Sequence, residues 1–307
     1  MIPSISYWSV AGGLEGTAPL ERAMDDAQRA GFAGIELCIG ETGALSVTTS
    51  EAECRQLRLA LDRRGLHCSS LAIGIAWGVN PTANDPAIRA RSRELHLAAL
   101  QRAEWLGCTS VLVIPGIVGS PISPAERVRY ADAEVRARAF IESLIPQASR
   151  AGIEICLENV WNGFLYAPTA MRDFIDSFSS PQVGAYFDVG NVLGWHQDPV
   201  DWIETLGHRV RRVHVKDYKF AFGFSGTFSF CDLGTGDVAW PEVMRALQGI
   251  GYNRTIVAEM MPWRAELLPV TSAALNKILS LAHPASGSAC SSSSNSSFNA
   301  AQTAQKA

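Results

Sequence analysis

Residues 152–159, GIEICLEN, form a short apolar run opened by a glycine and closed by a carboxylate, and three later stretches repeat that shape. VGAYFDVGN (183–191), VRRVHVKD (210–217) and TIVAEM (255–260) are rich in β-branched or aromatic residues and read as strands. Each run ends on a metal-capable side chain: Glu158, Asp188, His214 and Glu259. A helical stretch follows each run. If the strands are neighbours in one parallel barrel, three carboxylates and one imidazole face a common point.

The first half of the chain carries the same alternation. Strand candidates fall near 3–8, 33–38, 67–73 and 109–115, and the series continues at 153–158, 183–188, 210–216 and 255–260. Eight strand-helix units predict an α/β fold, a (β/α)8 TIM barrel. Helix punctuation agrees: Pro19 enters the first helix, Asp85 and Pro86 form a cap and first-turn pair, and Gly31, Gly65, Gly107, Gly152 and Gly251 stand where helices stop. A doubly wound open sheet would place a Gly-rich phosphate turn after its first strand. GGLEG at 12–16 is not GxGxxG, and no GxxxxGK[ST] occurs, so the barrel is favoured. From Pro284 the sequence drops to Ser, Ala and Asn, which predicts a disordered tail over 284–307 behind a single catalytic domain over 1–283.

Composition excludes several classes of function. The 307 residues are 47% hydrophobic, with a formal net charge of −4 and a pI near 5.9. No basic stripe offers itself to a nucleic-acid backbone, and no uninterrupted apolar segment reaches membrane-spanning length. The opening MIPSISYWSVAGG lacks a basic region ahead of an apolar one. A soluble cytoplasmic protein is expected, without nucleic-acid or membrane partners. The seven cysteines are scattered and contain no CxxC pair, so they read as small buried hydrophobes rather than a disulfide framework.

Three oxygen ligands and one imidazole suit a divalent ion in an open, roughly octahedral site: Mn²⁺, Mg²⁺ or Co²⁺, with Zn²⁺ less natural. Such an ion, holding adjacent hydroxyl and carbonyl oxygens, acidifies the C–H between them and stabilises an enediolate. Two carboxylates on opposite faces of that substrate supply base and acid, and Glu158 and Glu259 are the natural pair. Each residue also has a plainer reading. Asp188 can cap a helix or turn, and His214 can be a satisfied core histidine. Of the six histidines, however, only His214 ends an apolar strand.

Longer motifs carry a resemblance. ENVWNGFLYAPTAMRDFID (158–176), YFDVGNVLGW (186–195), RRVHVKDYK (211–219), DLGTGDVAWPEVMRALQGIGY (232–252) and TIVAEM (255–260) resemble, in order, the sugar phosphate isomerases and epimerases among the xylose-isomerase-like TIM barrels. SYWSVAGGLEG (6–16) and GFAGIELCIGETG (31–43) resemble that family's first two strand-helix units, so the resemblance covers about residues 4–262. It implies that Glu158, Asp188, His214 and Glu259 are metal ligands, with Glu158 and Glu259 also moving protons. In ketose 3-epimerases of this superfamily a histidine commonly stands three residues after the metal-binding aspartate. Here that position is Asn191, which can hydrogen-bond a sugar oxygen but cannot serve as a charged acid.

Around the ligand set, Glu36, Trp77, Trp161 and Asn162 are candidates for lining the substrate cavity, the two tryptophans as a floor for the apolar face of a sugar or as packing residues. A phosphate would need donors, for which Lys216, Lys219 and the backbone of Gly234, Thr235 and Gly236 are candidates, although Asp217, Asp232 and Asp237 crowd the same region with negative charge. The expected function is a metal-dependent isomerase or epimerase of a ketose or ketose phosphate, with Mn²⁺ the first choice of ion, and the sequence leaves room for a homo-oligomer. An inosose-type dehydratase on the same site is the enzymatic alternative, and a non-catalytic sugar-binding barrel is the alternative from another class. A trinuclear zinc nuclease needs histidines that SSLAIGIAWG (69–78) and SVLVIPGIVG (110–119) lack.

Overall fold

The eight apolar runs pair in one direction, and the sheet they make closes on itself. The computed structural model describes residues 1–120, 126–220 and 229–282. Its barrel is built from β1 (Ile2–Ser6), β2 (Gly34–Ile39), β3 (Ser70–Ile73), β4 (Ser110–Val113), β5 (Glu154–Glu158), β6 (Val183–Asp188), β7 (Val210–Val215) and β10 (Thr255–Ala258), all parallel, with β10 returning to pair β1. The expected tail at 284–307 lies outside the described residues, as does His283.

Parallel strands need crossovers, and helices supply them. Their order is α1 (Leu20–Arg29), α2 (Glu51–Arg63), α3 (Pro86–Leu106), α4 (Tyr130–Ala151), α5 (Pro168–Asp176), α6 (Val189–Leu193), α7 (Pro199–Leu206), α8 (Trp240–Gly249) and α9 (Leu267–Ser280). The caps match the sequence reading. The Asp85 carboxylate accepts from the Ala87 N–H with Pro86 in the first turn, and α4 ends at Gly152, whose φ of 67° is a left-handed conformation that glycine adopts without strain. Every residue of β3 and β4 is buried, as barrel strands covered on both faces must be. At the strand starts Arg212, almost wholly buried, lies 3.5 Å from Glu154, which also pairs with Arg254 at 2.6 Å.

Beyond β7 the chain makes a pairing absent from the sequence reading: β8 (Asp217–Lys219) and β9 (Ser229–Cys231) form a small antiparallel sheet. Its three-residue strands are too short to show periodicity, and the segment between them is far longer than a two-residue hairpin turn. The second helix after β6, α7, was likewise not separated from α6. Among the described residues no helix is long and apolar enough to cross a membrane.

His96, on α3, is fully buried with its ring edge-on to Phe140 of α4 at 4.9 Å. Its Nδ1–H donates to the Ser92 carbonyl at 2.7 Å, while Nε2 has no hydrogen-bond partner. Burial, only partly opposed by the Ser92 hydrogen bond, lowers its pKa from 6.5 to about 4. The unfolded chain accepts a proton that the folded chain refuses, so this part of the stability is present at pH 7 and lost as pH falls from the unfolded value towards the folded one. The expected loss is ~2 kcal/mol by pH 5. Urea unfolding at pH 7 and pH 5 should show His96→Asn, which keeps a donor for Ser92 but does not titrate, with a shallower pH dependence than the wild type. Equal slopes would contradict the assignment.

Candidate active site

Strand register brings the four strand-end residues together. Asp188 is paired in register with His214, and the Glu259 N–H, one residue past β10, donates to the Val215 carbonyl at 3.1 Å. Glu158 closes β5 beside β6. One ligand atom from each of Glu158, Asp188, His214 and Glu259 lies within 4.8 Å of all the others, and all four residues are buried. His214 Nδ1 is 3.0 Å from Glu259 Oε2, 3.7 Å from Glu158 Oε1 and 4.0 Å from Asp188 Oδ2. His214 Nδ1 makes no hydrogen bond, and Asp188 Oδ2 and Glu259 Oε2 meet no donor but the Lys216 ammonium. Buried polar atoms normally find partners, so electron-pair donors converging on one point, with an ammonium already drawn to two of them, fit a cation. This buried tetrad is a divalent-metal site.

His214 and Asp188 are held from behind. His214 Nε2 lies 2.8 Å from Glu36 Oε1, so the ring proton belongs on Nε2 and the Nδ1 lone pair faces the site. Glu36 Oε2 accepts from the Ser70 and Tyr186 hydroxyls, each at 2.5 Å. The Asp188 peptide is clamped by the Asn159 amide, which accepts from its N–H at 2.7 Å and donates to its carbonyl at 2.8 Å. Asp188 also divides its carboxylate: Oδ1 caps α6 through the Asn191 N–H at 2.9 Å, and Oδ2 faces His214 and the Lys216 ammonium. The cap reading of Asp188 holds, and it leaves the second carboxylate oxygen within the group of four that could hold a metal ion.

Lys216 adds a positive charge at the centre, its Nζ 2.9 Å from Asp188 Oδ2 and 2.8 Å from Glu259 Oε2. The two glutamates differ accordingly. Burial raises the pKa of Glu158. It would raise Glu259 too, but the Lys216 ammonium and the His214 ring overcome it and hold that carboxyl at about 2. Burial alone would lower His214, yet Glu36 and the Glu158 and Glu259 carboxylates beside the ring lift it well above the ordinary imidazole value. Its proton and a metal ion compete for the same nitrogen.

The site opens into a cavity of about 680 Å³ lined by Glu158, Glu259, Lys216, Asn191, Trp77 and Trp161 among others. Trp161 Nε1 donates to the Asn191 carbonyl at 3.0 Å, and Gly194 leaves room for its ring, since a Cβ there would lie 2.4 Å from Trp161 Cζ2. Three expected cavity residues stand elsewhere. Glu36 lies three residues before the end of β2 and so sits beneath His214 instead of at the rim. Asn162 is turned into the loop, donating to the Gly116 carbonyl at 2.7 Å and accepting from the Phe164 N–H at 3.1 Å. Lys219 is about half exposed and pairs with Asp237 at 3.4 Å.

The candidate phosphate loop is already filled. Asp217, fully buried, accepts from the N–H groups of Tyr218 (2.9 Å), Gly234 (2.8 Å) and Val238 (3.3 Å) and from Trp240 Nε1 (3.1 Å). The Thr235 N–H goes to the Asp232 carbonyl at 3.0 Å, and a Cβ on Gly236 would lie 2.2 Å from Asp217 Oδ1. The loop wraps an internal carboxylate. Residues missed from sequence include Tyr186, Ser70, Asn159 and Phe230. Tyr186 carried a signal, since it stands two before Asp188 and shares its strand face. Phe230 carried none, because β9 was not foreseen.

The sequence model of the family described as xylose isomerase-like TIM barrel matches residues 24–275. The L-ribulose-5-phosphate 3-epimerase UlaE of Salmonella typhimurium is 24% identical over 245 residues, which is 78% of this chain and 81% of that protein. The structure of D-psicose 3-epimerase with D-tagatose, from Clostridium cellulolyticum H10, superposes with a TM-score of 0.75 at 17% identity, covering 92% of this chain and 99% of that one. A xylose isomerase-like TIM barrel protein from Mycobacterium smegmatis, in complex with magnesium, gives 0.66 at 18% identity over 86% and 89% of the two chains.

Two measurements check this site. Glu36→Gln removes the anion behind His214 and is expected to weaken Mn²⁺ binding about 10- to 100-fold by isothermal titration; unchanged affinity would remove Glu36 from the support of the ligand. Asp217→Asn is expected to cost ~2 kcal/mol in urea unfolding, the range for a hydrogen-bonded buried charge. An unshifted midpoint would show that the loop stands without its carboxylate.

Proposed function

The chain belongs to the xylose isomerase-like TIM barrels, and from that membership and the site's geometry we propose that it is a divalent-metal-dependent isomerase or epimerase acting on a ketose or ketose phosphate through an enediolate. One observation carries the reading: Glu158 and Glu259 both border the cavity while belonging to one ligand set. Binding alone needs no second carboxylate poised to move a proton. The name of the Salmonella relative, a 3-epimerase of a ketose phosphate, supports the same reaction class.

Glu158, Asp188, His214 and Glu259 would hold the ion, proposed to be Mn²⁺, which when bound would acidify the substrate C–H and stabilise the developing negative charge. The protein supplies the proton transfers. Glu259, held ionised by Lys216 and His214, removes the proton, and Glu158, whose raised pKa lets it carry one, returns a proton to the other face. In the reverse direction the roles exchange. Asn191 offers hydrogen bonding where a histidine stands in the ketose 3-epimerases, and Trp77 and Trp161 offer apolar faces to the carbon skeleton. The described cysteines are all free and, Cys231 apart, buried, which supports a proposed cytoplasmic location.

Exchange of a substrate C–H with solvent deuterium tests the reaction in the Mn²⁺-loaded protein with a panel of ketoses. Glu158→Gln and Glu259→Gln should each lower the exchange rate at least ~1,000-fold while the far-ultraviolet circular dichroism stays unchanged. Exchange at the wild-type rate in either variant would remove that residue from the mechanism. Loss of water from the substrate in place of epimerisation would transfer the site to dehydratase chemistry.

A further inference from the structure

The cavity that receives the substrate is charged only at its floor. Among its described lining residues the ionisable ones are Glu158, Glu259 and Lys216, and the ammonium of Lys216 is engaged by Asp188 and Glu259 at 2.9 and 2.8 Å. Above that floor stand the rings of Trp8, Trp77, Trp161 and Phe230 with Met260 and Met261. Trp161 and Phe230 are stacked, 5.2 Å between centroids and 25° between planes. Phe230 remains 38% exposed and Met261 37%, so the wall presents unburied apolar surface to whatever enters.

The rings and thioethers of this wall give a phosphate no cation. A dianion at the mouth of the cavity needs N–H donors or cations, and most of the nearby ones are committed elsewhere. In the loop over 232–238 the N–H groups of Gly234, Thr235, Asp237 and Val238 are spent on Asp217, Asp232 and Tyr218, Lys219 turns to Asp237, and Arg264 pairs with Asp232. The sequences of the two internal segments outside the described residues, PISPA (121–125) and AFGFSGTF (221–228), contain no basic residue. Placing a phosphate among aromatic rings and carboxylates leaves its charge unpaired and poorly solvated.

We propose that the substrate is an uncharged hydroxyketone whose end distant from the metal carries an apolar, preferably aromatic, group seated between Trp161–Phe230 and Trp8–Trp77. A volume of about 680 Å³ is in the range of drug-sized ligands and exceeds what a five-carbon sugar fills. The inference rests on the proposed function for the reacting end of the molecule and concerns only the other end. Aromatic residues give such a group both buried area and offset or edge-on ring contacts.

The test compares three probes against the Mn²⁺-loaded protein by isothermal titration: ribulose and xylulose in both enantiomeric forms, their 5-phosphates, and their 5-O-phenyl ethers. The expected result is a phenyl ether at least ~10-fold tighter than the free ketose, with the phosphate ester no tighter than the free ketose. In Phe230→Ala the advantage of the phenyl ether should fall below ~3-fold, the fold being verified by circular dichroism. A phosphate ester that binds more tightly than its parent, a phenyl ether that gains nothing, or no binding by any probe overturns the proposal. Deuterium exchange on the same probes separates the two readings. Tight phenyl-ether binding without exchange defeats the catalytic reading and leaves the specificity standing, whereas exchange fastest on a tightly bound phosphate ester does the reverse.

Discussion

Closing eight parallel strands into one barrel forces the side chains at the C-terminal ends of β5, β6, β7 and β10 to share a space that like charges would otherwise leave. The cost of crowding Glu158, Asp188 and Glu259 out of water is met by fixed partners: Lys216 against two of them, and His214 held between them by Glu36. Glu36 in turn is sustained by Ser70 and Tyr186 from β3 and β6. Four strands thus contribute to the orientation of one imidazole, and the rigidity of the ladder becomes the rigidity of the site.

The barrel was legible in the sequence because two signals agreed: apolar runs short enough to be strands, and glycines in left-handed conformations closing the helices between them, as at Gly107 and Gly152. The four ligands were legible because all sit at the C-terminal ends of their runs, the face where such barrels place their chemistry. Glu36 shows the limit of that reasoning. Its strand continues to Ile39, and a carboxylate three residues short of the end lies a layer deeper, where it meets a histidine and not a substrate. Strand-end position is worth one pleat of depth per two residues, and sequence boundaries are seldom that sharp.

The loops resisted reading for a different reason. Asn162 and Asp217 form their bonds with groups far off in sequence, Gly116 in one case and Gly234 to Trp240 in the other, and residue type alone does not disclose a partner. The seemingly inviting run from Gly234 to Gly236 has the composition of an anion-binding turn because it does bind an anion. That anion belongs to the chain itself. Substitution of an internal carboxylate for an external ligand leaves the sequence signature of the turn unchanged while altering what the rim can recognise.

The buried carboxylate of Asp217 also bears on the timing of events at the cavity mouth. A turn that waits for its anion is loose until ligand arrives, and its ordering is then subtracted from the binding free energy and slows productive encounter. Here four N–H groups of the turn, those of Gly234, Thr235, Asp237 and Val238, already have partners when the chain folds, so the segment from Asp232 to Val238 has its shape before any encounter. Entry to the barrel past this side of the rim is a docking onto a finished surface rather than an ordering of one.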